Sequence, residues 1–139
     1  SLPKEKVIEL GRYHRAFLSH GHYYYVSFGT EQIIEEAKSR DCDIAIFGHT
    51  HRPLIEKHDD FLCLNPGSLS FPRQENRRPS YIIMNIEEDG EIHAAVNYYW
   101  RGRAGNRPKE WVLSKLLKKL KKFFKISPFS KFFVFLIGK

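Results

Sequence analysis

Asp43-Ile44-Ala45-Ile46-Phe47-Gly48-His49-Thr50-His51 is the stretch on which the reading of this chain turns. Four consecutive apolar residues between polar, turn-prone neighbours form the pattern of a short strand covered on both faces. That strand runs directly into a glycine and a His-x-His. An upstream segment repeats the arrangement, with Ala16-Phe17-Leu18 leading into Ser19-His20-Gly21-His22. Between the two, Thr30 is placed to cap a helix over about 31–40. Its acids (Glu31, Glu35, Glu36) come early, its bases (Lys38, Arg40) late, and Ile33, Ile34 and Ala37 share a face. The unit is strand, helix, strand, so the fold class is α/β.

Working outward, Leu54-Ile55 and Phe61-Leu62-Cys63-Leu64 flank the polar His58-Asp59-Asp60 and predict a hairpin. Asn65-Pro66-Gly67-Ser68 is turn chemistry. Residues 81–86 and 92–99 flank Glu87-Glu88-Asp89-Gly90, whose Asp-Gly is a strong hairpin signal. Gly102, Gly105 and Pro108 then mark a linker. Residues 110–126 have a helical period, with Leu113, Leu116, Leu117, Leu120, Phe123 and Phe124 opposite six lysines, and Phe132 to Ile137 adds an apolar patch. The expected organisation is a strand-rich α/β domain over 1–100 and a basic amphipathic tail, with its own helix, over 101–139.

Charge divides the same way. The net +7 of the 139 residues resolves into +11 for 101–139 and −4 for 1–100. A block of charge at one end suggests an attachment surface and argues against a groove that tracks nucleic acid. Lysines opposite Trp, Leu and Phe suit an anionic membrane surface, so 110–137 is a candidate for peripheral membrane contact. Docking on the chain's own domain, or on a partner, is the competing expectation. Cys42 and Cys63 form no CxxC pattern and read as two reduced, mostly buried thiols of a cytoplasmic protein.

The chemistry lies in the two His-x-His pairs. In an extended chain residues i and i+2 point to one side, so each pair is expected to aim two imidazoles at one point. In open α/β sheets, sites gather beyond the carboxyl ends of strands, where both pairs fall. Imidazole is a common ligand for transition metals. Four histidines alone could hold one structural zinc. A hydrolytic metal pair also needs carboxylates, and Asp41, Asp43, Asp59 and Asp60 all sit away from the histidine-bearing strand ends. His14, His58 and His93 lie in polar or alternating contexts and are expected at the surface.

His20-Gly21-His22, Gly48-His49-Thr50-His51 and Asn65-Pro66-Gly67-Ser68, in this order, resemble the later motifs of calcineurin-like metallophosphoesterases. The likeness is greatest to the YfcE-type bacterial phosphodiesterases and runs from about Ala16 to Trp100. It implies the C-terminal portion of a metallophosphoesterase β-sandwich with flanking helices. By that resemblance His20 and His49 would ligate one metal and His51 the other. His22 would take a catalytic place, touching substrate or supporting the ligands. Asn65 and Gly48 would back the metal histidines, and Arg73 would approach a substrate phosphate. The implied cofactors are two divalent cations, Mn²⁺ first, with Fe, Zn or Ni as options. None of the family's earlier Asp-x-His, Gly-Asp and Gly-Asn motifs occurs before His20 in this sequence. The expectation is that they belong to a preceding part, and that this chain alone does not catalyse. The alternative function is a non-catalytic metal-binding or scaffold protein on the same fold.

Overall fold

The computed structural model describes residues 4–99 in full and 131–135 as backbone. Among the described residues, eight strands form two packed sheets, accompanied by one α-helix. The first sheet contains β1 (Glu5–Leu10), β2 (His14–Ser19), β3 (Ile44–Phe47), β4 (Pro53–His58) and β5 (Phe61–Pro66), in the order β1-β2-β3-β5-β4. The second contains β6 (Ser80–Ile86), β7 (Ile92–Tyr98) and β8 (Lys131–Phe135), in the order β7-β6-β8. α1 (Glu31–Ser39) connects β2 to β3, which pair in parallel as a helical crossover requires.

The central strands form because their residues are covered on both sides. All four residues of β3 are buried, as their continuous apolar run predicts. One set of side chains meets α1: Phe17, Ala45, Phe47 and Cys63 pack with Ile33 and Ala37. The other set meets the second sheet: Ala16, Ile44, Ile46 and Leu64 pack with Ile82, Met84 and Ile86. β6 alternates strictly, with Ser80, Ile82, Met84 and Ile86 buried and Tyr81, Ile83 and Asn85 on the opposite face.

The sequence expectations hold for α1, β3 and both hairpins, and fail in four places. β1 was not anticipated, because Lys4-Glu5-Lys6 gives its start a polar look. It is an edge strand, antiparallel to β2. Glu5 is fixed there by Arg40 at 2.8 Å and by the Tyr24 hydroxyl at 2.5 Å. Thr30 stands at the helix N-cap position, but its hydroxyl donates to Glu56 (3.1 Å) and makes no cap bond. His14 is half-buried. Its Nδ1 faces the Asp43 carboxylate and its Nε2 lies 2.6 Å from the Gly90 carbonyl, joining the β6–β7 turn to the first sheet. Residues 131–135, expected in the tail, form β8 on β6. The helical period of 110–126 lies outside the described residues. Among the described residues no helix is long and apolar enough to cross a membrane.

Both cysteines are free and buried. Burial, then the nearby Glu56 charge, pushes the Cys63 thiol up to about 12, and burial raises Cys42 too. Cys63 therefore stays protonated at pH about 8, where a free thiol is partly ionised. A maleimide applied to the folded chain at that pH should leave Cys63 unmodified, and denaturant should make it react fully. Rapid native labelling at Cys63 would contradict this packing.

Candidate metal centre

The pairing of β2 with β3 brings the two His-x-His segments together. Ser19 stands opposite Phe47 in parallel register, so His20 and Gly48 leave the sheet side by side. The Gly48 amide donates to the His20 carbonyl at 3.2 Å and extends the ladder by one rung. Two imidazoles then meet: His49 Nδ1 lies 3.3 Å from His20 Nε2, with ring centroids 5.2 Å apart. Two nitrogens bound at ~2.0–2.1 Å to one tetrahedral cation lie about 3.4 Å apart, so this pair is spaced for a shared metal. His22 completes a triangle of rings, 5.2 Å from His20 and 6.0 Å from His49, and packs at a tilt on Tyr23 with centroids 3.8 Å apart.

The device that aims these rings differs from the expected one. His49 and His51 are not extended; both take left-handed backbone, with φ of 67° and 58°. Such conformations cost roughly 1–3 kcal/mol each in a non-glycine residue and persist only where surrounding structure imposes them. After β2, Gly21 at φ 100° turns the chain into a short 3₁₀ segment, His22–Tyr24. Any side chain at Gly21 would press on Val26 and Phe47.

His51 is directed elsewhere. Its Nδ1 donates to the Phe71 carbonyl at 3.0 Å, since a carbonyl can only accept. In the neutral ring that bond leaves the Nε2 lone pair for a metal. The Arg73 amide donates to the His51 carbonyl at 3.0 Å, and the Arg73 side chain is exposed. His51 and Arg73 are thus held together, while His20, His22 and His49 form the other group.

Asn65 ties the site to the core. It is fully buried at the end of β5. Its Nδ2 donates to the Gly48 carbonyl (2.9 Å) and the Thr50 hydroxyl (3.0 Å), on either side of His49. Its Oδ1 accepts from the Gly67 amide at 2.9 Å. Sequence reasoning missed Thr50, Tyr23 and the Phe71 carbonyl. A threonine between two histidines was visible. A backbone carbonyl twenty residues away carries no signal in the sequence.

Among the described residues, no group of three or more His, Cys, Asp or Glu side chains is spaced to hold a metal ion. The donors fit a cation in part: paired imidazoles of suitable separation, and a third imidazole with a free nitrogen. Asp43, on His14, and Asp60, near Lys38, lie at the other end of the parallel strands, while Glu5, opposite Ser19, is engaged by Arg40 and the Tyr24 hydroxyl.

Comparison with known proteins gives this arrangement a context. Residues 1–89 match the model of the calcineurin-like phosphoesterase superfamily domain. The phosphodiesterase YfcE of Escherichia coli is 39% identical over 62 residues, which is 45% of this chain and 30% of that protein. A crystal structure of a conserved Streptococcus pneumoniae protein, described as a predicted phosphoesterase, superposes with a TM-score of 0.59. It is 26% identical, and the match covers 71% of this chain and 64% of that one. Vps29 of Entamoeba histolytica, solved in complex with Zn²⁺, is 26% identical with a TM-score of 0.53, covering 68% of this chain and 60% of that one. The chain spans less than half the length of the first curated relatives it matches. With the family's sandwich in place and its histidine motifs at the ends of β2 and β3, the chain belongs to the calcineurin-like phosphoesterase superfamily.

Proposed function

We propose that this chain is the histidine-bearing half of a dinuclear, metal-dependent phosphoesterase whose carboxylate ligands come from polypeptide outside it. The observation that carries the reading is the 3.3 Å approach of His49 Nδ1 to His20 Nε2 from the ends of adjacent parallel strands. In this reading His20 and His49 hold one divalent cation, and His51 holds the second through Nε2. Mn²⁺ is the first choice, with Fe, Zn or Ni as options, because mixed nitrogen and oxygen ligation discriminates weakly. Such a pair, when bound, lowers the pKa of water and stabilises charge on phosphoryl oxygens. The chain's own residues do the positioning. The Phe71 carbonyl fixes the His51 tautomer, Asn65 fixes the loop bearing His49, and His22, packed on Tyr23, keeps its ring beside those of His20 and His49. In this reading Arg73, whose amide bonds the His51 carbonyl, meets a substrate phosphate.

A second reading, a binding scaffold on the same fold, is favoured by aromatic side chains exposed beside the histidines. Tyr23, against His22, is 58% exposed, and Phe71, whose carbonyl meets His51, is 54% exposed. Calorimetric titration with Mn²⁺ and Zn²⁺ separates the two when run on this chain and on a longer product of its upstream coding sequence. The enzyme reading expects weak binding to this chain, lost in His20→Ala. It expects two tight sites and phosphodiester hydrolysis in the longer product. Two tight sites without hydrolysis would favour the scaffold, and no metal binding in either form would refute the enzyme reading.

A further inference from the structure

Charge is divided along the length of the sandwich. Asp59 and Asp60 in the β4–β5 turn, and Glu87, Glu88, Asp89 and Glu91 in the β6–β7 turn, lie at the end remote from the histidines. Around His51 the sign is reversed. Arg52 follows His51 directly, and the segment joining β5 to β6 brings Arg73 and Arg77 to the same end, with Glu75 as its single acid. That segment is tied to the site, since the Arg73 amide donates to the His51 carbonyl at 3.0 Å and the Ser80 hydroxyl to the Pro66 carbonyl at 2.8 Å. The side chains of Arg52, Arg73 and Arg77 are exposed and make no ion pair among the described residues. Arg15 and Arg40, by contrast, are neutralised: Arg15 meets Glu9 at 3.0 Å, and Arg40 meets Glu5 at 2.8 Å and Glu36 at 2.6 Å.

We infer that Arg52, Arg73 and Arg77 form an anion subsite beside His51 that takes a second, non-reacting phosphate, so that the substrate is a phosphodiester bearing another phosphoryl group. The inference rests on the phosphoesterase reading above and names the substrate class of that site. Guanidinium suits the task, because its planar fork offers paired N–H donors to phosphate oxygens. The backbone that carries the arginines is held before any ligand arrives. Ser68 Oγ accepts from the Phe71 amide at 3.0 Å. Asn76 Oδ1 accepts from Gln74 Nε2 at 2.9 Å and from the Arg78 amide at 3.0 Å. These bonds enclose a turn in which the Arg77 amide donates to the Gln74 carbonyl at 3.0 Å and Arg77 takes left-handed backbone at φ 49°. A loop ordered in advance loses less freedom on binding. The division of charge works in the same direction, since the arginine end draws a polyanion towards the imidazoles and the acidic end repels it.

Two measurements test this. The first is calorimetric titration of the full chain with inorganic pyrophosphate, without divalent cations. Replacing Arg52 and Arg77 together (Arg52→Gln, Arg77→Gln) should weaken binding by about tenfold or more, the scale of a lost hydrogen bond between charged groups. Arg12→Gln with Lys57→Gln removes the same charge from exposed positions towards the acidic end and should leave binding unchanged. Equal losses in the two double variants would mean that only net charge is sensed, and would overturn the inference, as would a parent chain that binds no pyrophosphate. The second measurement uses the longer polypeptide and the p-nitrophenyl ester of thymidine 5′-phosphate, with and without a 3′-phosphate. The parent should show a kcat/KM about tenfold or more higher for the 3′-phosphorylated ester. In Arg52→Gln, Arg77→Gln the ratio between the two esters should fall towards one. A parent that hydrolyses both esters equally would overturn the inference and leave the phosphoesterase reading intact. Hydrolysis of neither would count against that reading instead, and the titration would still decide whether the arginines hold an anion.

Discussion

His49→Ala, introduced into the polypeptide that joins this chain to its upstream sequence, should lower phosphodiester hydrolysis by roughly 10²–10³-fold or more, the scale seen when one electrostatic contributor to a transition state is removed. His49 is the residue whose Nδ1 meets His20 Nε2, so its loss empties one side of the proposed first metal position. Alanine at φ 67° also inherits the left-handed backbone, which histidine tolerates better. A melting curve beside the rate measurement separates a misfolded loop from a lost ligand. His58→Ala is the control, because His58 is exposed at the far hairpin and pairs only with Glu56 among the described residues. Its activity should match the parent. A His49→Ala protein that melts normally and keeps its rate would remove His49 from the site.

Asn65→Ala should destabilise the chain by about 3 kcal/mol, because it leaves the Gly48 carbonyl and the Gly67 amide buried without their partner at ~1–3 kcal/mol each. For a domain of this size that is a fall in melting temperature of roughly 12–24 °C. Alanine also frees the Thr50 hydroxyl, so the loop bearing His49 loses its anchor to β5. Metal affinity should then fall about 10–100-fold, as it does when groups that orient ligands are removed. Asn65→Asp keeps the acceptor for Gly67 but not the two donors, and should rank between alanine and the parent in calorimetry. A neutral Asn65→Ala would mean that the loop is held by something other than this amide.

Much of this was legible because burial writes itself into composition. Ile44 to Phe47 could only be a strand covered on both faces, and Asp89-Gly90 could only be a tight turn between two apolar runs. The convergence of His20 with His49 was legible too, since both follow strands that a crossover helix makes parallel. Its mechanism was not. Strand alternation was expected to aim both imidazoles of each His-x-His at one point; left-handed backbone at His49 and His51 instead sends their rings apart, His49 to His20 and His51 to the Phe71 carbonyl. β1 was hidden by the charges of an edge strand. His14 was hidden because its two acceptors, Asp43 and Gly90, come from distant parts of the chain. The same limit concealed the Phe71 carbonyl at His51.

Anomalous diffraction from crystals of the longer polypeptide grown with Mn²⁺ would show whether two cations sit on these imidazoles. Two peaks are expected roughly 3.5–4 Å apart, one on His20 and His49, the other on His51 Nε2, with a carboxylate from upstream sequence between them. A single tetrahedral ion enclosed by histidines, or no peak at these imidazoles, would contradict it.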